Sequence, residues 1–310
     1  MMLSISVVIC TRNRISYLRS AVNSVILQAS NSPLAEVIVV DNGSTDSTAD
    51  FVRSLCPTFP NVKYIFEPSL GLSHARNSGL RAAQGQYIAF LDDDAVAEDG
   101  WLSQIPIAFE TGGGDIACVG GKIEPIWGKP RPTWLHDDLL GYVSAFDYFP
   151  VPVRMPENIG PWGCNVVFRR DVLRRLGGFS TALGRKGALL LSNEEFLVYR
   201  QLRELGFSIY YDPKICVRHW VNVDRLSKAW FKRRAYWQGV SDSMLDVQSG
   251  ASSKLAMGRR RLRQLASLLY RPKRLLAAAF PGDDPQSFTT ACYVYRTFGY
   301  VGAVWHGWRT

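Results

Sequence analysis

Two acidic clusters in this chain have the composition and spacing to do chemistry. In "YIAFLDDDAVAEDGWL" (87–102), the β-forming apolar run Tyr87 to Leu91 ends in Asp92, Asp93 and Asp94. Three carboxylates at one point repel one another unless positive charge sits among them. A hard divalent cation, Mg²⁺ or Mn²⁺, suits such a set, because these ions take oxygen ligands and bind through one or two carboxylates plus a substrate's phosphates. Held on a diphosphate, the ion would stabilise the charge that builds on a leaving group. The second cluster is Glu194 and Glu195, at the head of "SNEEFLVYRQLRELGF" (192–207). One of them could serve as base toward an incoming nucleophile. Like-charge crowding would raise a pKa there and the helix dipole would lower it; acidic residues in a first helical turn also serve simply to complement that dipole.

The elements that must position these groups are legible as a rhythm. Apolar, β-branched runs recur at "ISVVIC" (5–10), "EVIVV" (36–40), "VKYIF" (62–66), "YIAFL" (87–91) and "IACVG" (116–120). Such continuous apolarity suits strands buried on both faces. Between them lie helical patterns: Tyr17 to Gln28, with Leu18, Ala21, Val22, Val25 and Ile26 on one face, and Leu72 to Gln84, with Gly85 as C-cap. Alternation of this kind predicts an α/β fold around a mostly parallel central sheet flanked by helices. Ligands then bind beyond the carboxyl ends of the strands. The polar groups there are "TRNR" (11–14), "DNGSTD" (41–46) and "DDD" (92–94). "DNGSTD" alone is also good turn and cap chemistry.

Residues 121–160 lose the rhythm and hold six prolines and many aromatics, as a substrate-shaping loop region would. Strand "GCNVVF" (163–168) follows, then a helix from Asp171, the helix ending at Gly206, and a strand pair, "SIYYD" and "KICVRHW". From about 224 the chain is expected to be helical, basic and aromatic. Residues 1–223 hold 21 Lys/Arg against 22 Asp/Glu, and residues 224–310 hold 15 against 5, so the net charge of +9 belongs to the C-terminal part. Six cysteines without a C-x-x-C pair point to a reduced, cytoplasmic protein. The first residues read as a strand and not as a signal peptide. Ser287 to Trp305 carries Arg296 mid-way, so it is expected to be a packed helix and not a membrane span.

The motifs, taken in order, resemble the family 2 glycosyltransferases, inverting enzymes of the GT-A (Rossmann-like) fold that use nucleotide-sugar donors. The resemblance rests on "SVVICTRNR", "EVIVVDNGSTDST", "GLSHARNSGL", "GQYIAFLDDDAVAEDGWL", "GCNVVFRRDVLRRLGGF" and "NEEFLVYRQLRELGF", within residues 4 to about 220. It implies a GT-A catalytic domain over 1–223, with a nucleotide-binding half (1–120) and an acceptor half (121–223), followed by a basic region, 224–310. Thr11, Arg12, Arg14, Asp41, Asn42 and Arg76 would line the nucleotide pocket. The aspartates stand at the family's D-x-D position: Asp92 or Asp93 would meet ribose or sugar, and Asp94, with Asp92 and His219, the metal. Glu195 aligns with the usual catalytic aspartate and Glu194 with the residue before it. Trp162, Gly163, Cys164 and Asn165 would lie near donor sugar or acceptor. The chain departs from the family in three places: "NEE" replaces Gly-Glu-Asp, Cys10 stands where proline is common, and Asn42 where a second aspartate is frequent. The implied donor is a UDP-sugar, the acceptor a glycan or lipid-linked hydroxyl in polysaccharide or glycoconjugate synthesis.

Two other readings compete. "IAFLDDDAV" also fits the opening of a HAD-like phosphatase with Asp92 as nucleophile, although that motif normally follows a first strand. A non-catalytic binding module on the GT-A fold is the other. In the C-terminal region, Trp230, Phe231, Tyr236 and Trp237 interleave with Lys228, Lys232, Arg233 and Arg234. That pattern suits a helix lying on an anionic membrane, at the cytoplasmic face of an inner membrane, better than a nucleic-acid site; a plain solvated surface is the third option.

Overall fold

The computed structural model describes residues 4–30, 35–250 and 282–306, with Ala256, Gly258, Arg259, Arg263, Ala266 and Phe280 between. Met1–Leu3, at the head of the first expected strand, and most of the basic run after Gly250 lie outside the described residues. The described chain forms two compact units, residues 1–125, 144–181 and 198–220 in one, and 126–143, 182–197 and 221–310 in the other.

The first unit is built on a sheet of nine strands among the described residues. They are β1 (Ile5–Thr11), β2 (Ala35–Asp41), β3 (Val62–Phe66), β4 (Tyr87–Asp92), β5 (Ala95–Ala97), β6 (Ile116–Trp127), β7 (Val153–Arg154), β8 (Asn165–Arg169) and β9 (Ser208–Val221). The order is β3-β2-β1-β4-β8-β6-β9-β5, with β7 on β9. Strands β3, β2, β1 and β4 are parallel, whereas β8 runs antiparallel to both β4 and β6. Crossover helices supply the parallel half: α1 (Ile15–Ser30), α2 (Thr48–Leu55) and α3 (Leu72–Ala82). α1 buries Leu18, Ala21, Val22, Val25 and Ile26, the face its sequence spacing predicts.

Two local expectations are corrected. Gly85 does not cap α3, which ends at Ala82 with Ala83 N–H bonded to the Gly79 carbonyl. A Cβ on Gly85 would lie 2.6 Å from the Ile5 carbonyl carbon, so the glycine is needed for close approach to β1. The expected strand pair over 208–220 is one continuous strand, β9. Pro213 looks like a turn in the sequence, but Lys214 N–H bonds Asp212 Oδ1 at 2.9 Å and the chain runs on. Its two ends pair different partners, Tyr211 with Val153 and His219 with Ala95.

Further helices among the described residues are α4 (Trp101–Gly112), α5 (Arg170–Arg175), α6 (Glu194–Glu204), α7 (Lys228–Gln248) and α8 (Pro285–His306). In the second unit, α7 and α8 touch backbone to backbone. A Cβ on Gly239 would fall 1.8 Å from the Arg296 carbonyl oxygen, and one on Gly299 would fall 1.9 Å from that of Tyr236. Phe231, fully buried, meets Trp134 edge-on at 5.4 Å, and Trp134 meets Phe288 at 4.8 Å. Arg296, which argued against a membrane span, is paired with Asp242 at 2.7 Å. Among the described residues no helix is long and apolar enough to cross a membrane.

Candidate active site

β1, β2 and β4 end side by side, with Thr11 opposite Asp41 and Cys10 opposite Asp92. The three polar clusters therefore converge, as their positions after successive strands predict. The loops are pinned to each other. Asn13, at φ +54°, accepts from Thr45 N–H at 2.6 Å, and its own N–H bonds Ser44 Oγ at 3.0 Å. Asp46 accepts from the N-termini of two helices, at Ile15 N–H (3.2 Å) and Thr48 N–H (3.1 Å). Asp41 is buried and accepts from Ser44 N–H and the Tyr64 hydroxyl, both at 2.8 Å. Asn42 is buried too. Its amide donates to the carbonyls of Glu67 (3.0 Å) and Ser69 (2.8 Å), while its oxygen accepts from Gly71 N–H (2.8 Å), so it holds the loop that launches α3. Arg12 is exposed.

The aspartates divide their tasks. Asp93 accepts from Thr11 Oγ1 at 2.7 Å and Arg14 Nη1 at 2.6 Å. Burial pushes its pKa up to about 7; Arg14 pulls it down and Asp94 raises it again. The other end of the Arg14 fork reaches Asp94 Oδ2 at 2.7 Å. Burial works against the Arg14 charge, but Asp93 and Asp94 overcome that and hold its pKa above the ordinary value. Arg76, 2% exposed, lies 3.5 Å from Asp92 and donates to the Gly163 carbonyl at 3.0 Å. Positive charge among the three carboxylates is thus supplied in part by two arginines.

Asp92, Asp94 and His219 can each offer one ligand atom within 4.8 Å of the others. His219 arrives on β9, whose pairing sets it opposite Ala95. Its Nε2 is 3.1 Å from Asp94 Oδ1. Two carboxylates and an imidazole fit a divalent cation of the Mn²⁺ type in donor chemistry. Of the residues expected near sugar or acceptor, Gly163 offers its carbonyl to Arg76, Trp162 is half-buried and Cys164 is buried. Asn165 is fully buried; its amide donates to Lys122 O (3.0 Å) and Ile215 O (2.8 Å) and accepts from Trp101 Nε1 (2.9 Å). It fastens β8 to β6 and β9.

Glu194 and Glu195 open α6 in the second unit, Glu194 buried and Glu195 half-buried. Asn193, just before them, stands at φ +75°. Gln238 Nε2 donates to its Oδ1 at 2.9 Å, and its Nδ2 donates to Asp242 Oδ1 at 3.0 Å. Tyr64, Asn193, Gln238 and Asp242 are not among the candidate site residues legible in the sequence. Asparagine directly before an acidic helical turn was the only signal, since Asn tolerates the left-handed region better than most residues.

An α/β sheet whose strand ends gather a D-x-D-like cluster, a histidine and two arginines is the architecture of a GT-A glycosyltransferase. The glycosyl transferase family 2 model matches residues 6–177, over half of the chain, and the protein belongs to that family. It is 29% identical over 250 residues (79% of this chain, 78% of the relative) to a glucosyl-dolichyl phosphate glucuronosyltransferase of Haloferax volcanii. It is 27% identical over 245 residues (78% and 75%) to the succinoglycan biosynthesis protein ExoM of Rhizobium meliloti. The mannosyltransferase PcManGT from Pyrobaculum calidifontis, solved with GDP-Man and Mn²⁺, shares the fold with a TM-score of 0.62 at 19% identity, covering 99% of this chain and 89% of that one. The protein is a glycosyltransferase; the phosphatase and binding-module readings are not favoured.

Proposed function

We propose that the protein transfers a sugar, with inversion, from a UDP-sugar to a hydroxyl of a glycan or lipid-linked acceptor, in a reaction that depends on a divalent cation. The observation that carries this reading is the convergence of Asp92, Asp94 and His219 at one strand-end crevice. These three residues would hold the cation, which when bound supplies Lewis-acid stabilisation of a departing diphosphate. Thr11 and Arg14 hold Asp93 and Asp94 in place. Asp41 and Arg76 would face the nucleotide. Glu195, the more accessible of its pair, would take the proton of the acceptor hydroxyl at a carboxylate oxygen as that hydroxyl attacks the anomeric carbon; Glu194 is the alternative base.

The protein would work at the cytoplasmic face of a membrane. The support is a stripe of exposed aromatics on α8, Tyr295, Phe298 and Trp305, on a chain whose C-terminal region is strongly basic. Flotation with anionic vesicles at low salt tests this, and failure to float removes it. The catalytic reading is tested by melting the protein with UDP, GDP and TDP, each with and without Mn²⁺, beside Asp94→Asn. A ligand at about a hundred times its Kd stabilises by ~2.7 kcal/mol. The expected result is a shift with UDP that needs both metal and Asp94. A shift with GDP or TDP instead would rename the donor, and no shift with any nucleotide would remove the reading.

A further inference from the structure

Among the described residues, the second unit holds a buried cation that no carboxylate hydrogen-bonds. Arg234 on α7 is 6% exposed. Its Nη2 reaches Ser192 Oγ at 3.4 Å, and its Nε and Nη1 have no hydrogen-bond partner among the described residues. Three N–H donors, one on Nε and two on Nη1, are therefore uncommitted. The acid that would neutralise it, Asp242, lies two turns on along the same face of α7, but its oxygens are taken. Oδ1 accepts from Asn193 and Gln238, each at 3.0 Å, and Oδ2 accepts from Arg296 at 2.7 Å. The Tyr142 ring lies 5.6 Å from the guanidinium carbon and offers a π face. Arg185 adds positive charge nearby: burial first, then Arg185, pulls the Arg234 pKa down to about 9.

Burying a charged group without a partner is strongly unfavourable, and an apolar side chain of like volume there would fold better. A guanidinium fork with open donors and a second cation beside it suits an oxyanion with several acceptor oxygens and more than one negative charge. The position is informative as well. Ser192, which touches Arg234, also bonds Gln238 Oε1 at 3.0 Å and stands two residues before Glu194. We propose that Arg234, with Arg185 and Ser192 beside it, binds a phosphate-type oxyanion carried by one of the two substrates, against the segment that presents Glu194 and Glu195. The proposal rests on the reading of those glutamates as the catalytic pair. The phosphate belongs either to the nucleotide donor or to a phosphate-bearing acceptor.

The test uses the full-length protein, its Arg234→Met and Arg185→Met variants, and three probes: inorganic phosphate, geranyl phosphate, and UDP with Mn²⁺. Wild type is expected to melt higher as phosphate is added. Arg234→Met should melt at or above wild type without ligand and bind phosphate at least tenfold more weakly. Arg185→Met, at a half-buried position, should weaken phosphate binding by threefold or more, and it decides the matter should Arg234→Met not fold. If geranyl phosphate follows phosphate while UDP binds both proteins alike, the acceptor carries the anion; if UDP binding falls with Arg234, the donor does. Equal responses of wild type and both variants to all three probes would overturn the proposal. Asp94→Asn separates it from the donor reading, since that variant should lose the nucleotide response and keep the phosphate response.

Discussion

The His219 imidazole lies 3.1 Å from the Asp94 carboxylate, and both side chains are 2% exposed. They are far apart in the chain, and the β5–β9 pairing, with Ala95 opposite His219, brings them together. A carboxylate and an imidazole this close and this dry form either a hydrogen-bonded pair or two ligands of one cation. His219→Ala and Asp94→Asn distinguish these. If both are ligands, each substitution lowers Mn²⁺ affinity by at least about tenfold, the scale on which even outer partners of metal ligands act. Manganese EPR titration reads this directly. Unchanged Mn²⁺ binding in His219→Ala would leave the histidine as a partner of Asp94 alone.

Glu36 gives the fold a pH dependence away from the site. It is 1% exposed and accepts from Ser6 Oγ at 2.6 Å, Lys63 Nζ at 2.7 Å and Gln84 N–H at 2.7 Å. Burial raises its pKa, but the bonds from Lys63, Ser6 and Gln84 outweigh burial and set it below the ordinary value of 4.5. A carboxyl depressed on folding contributes stability that is present above its unfolded pKa and is lost as pH falls through the folded one. Glu36→Gln should therefore cost about 2 kcal/mol at pH 7, and the gap from wild type should close below pH 4.5. Urea unfolding at pH 7 and pH 3 measures both values. A gap that does not narrow as pH falls below 4.5 would mean packing, not charge, is what the substitution removes.

Asn193 is the joint between α7 and the head of α6. Its φ of +75° is one that side chains with a Cβ adopt at a cost, and Gln238 and Asp242 hold its amide on both sides. Asn193→Ala loses both the bonds and the tolerance of that backbone, at about 3 kcal/mol; Asn193→Gly loses only the bonds, at about 2 kcal/mol. Because the next residues are the candidate base pair, both variants should lower kcat by about 10- to 100-fold, with the donor KM little changed. A rise in donor KM at constant kcat would place Asn193 with donor binding instead.

In the parallel half of the sheet β1, β2 and β4 were legible because they are buried on both faces and appear as nearly continuous apolar runs such as Val37 to Val40, while the edge strand β3 carries Lys63 and an exposed Phe66. The polar residues after those runs fall into one crevice by topology alone. What the sequence left open was how the three aspartates differ. Asp92, Asp93 and Asp94 are chemically identical in a string, and only the structure shows that Asp93 takes Thr11 and one end of Arg14, Asp94 the other end of Arg14 and His219, and Asp92 Arg76. β9 was hidden by Pro213, since a proline between apolar runs reads as a turn unless a neighbouring side chain serves the backbone beside it. The aromatic run of α7 reads as a membrane-facing pattern, yet Phe231 is fully buried against Trp134, while α8 exposes Tyr293, Tyr295, Phe298 and Trp305. Partners such as Trp134 and Phe288 come from distant segments, which a pass along the chain does not join.

Asn42 tests how far the family pattern can be imposed on this chain. A second aspartate is frequent at this position, so Asn42→Asp looks conservative. Here the side-chain nitrogen donates to two backbone carbonyls, Glu67 O at 3.0 Å and Ser69 O at 2.8 Å. A carboxylate would turn an acceptor toward both and leave them without donors, while Gly71 N–H would keep its partner. An unsatisfied buried acceptor such as the Glu67 carbonyl costs about 1–3 kcal/mol, whereas Ser69 is exposed, and the added charge would lie beside the buried Asp41 and near Glu67. Asn42→Asp should thus lower stability by at least about 2 kcal/mol, read by urea unfolding, and loosen the 67–71 loop, read by faster amide exchange at Gly71. Stability equal to wild type would show that the loop re-forms around a carboxylate, and the asparagine would then be interchangeable with the family's aspartate.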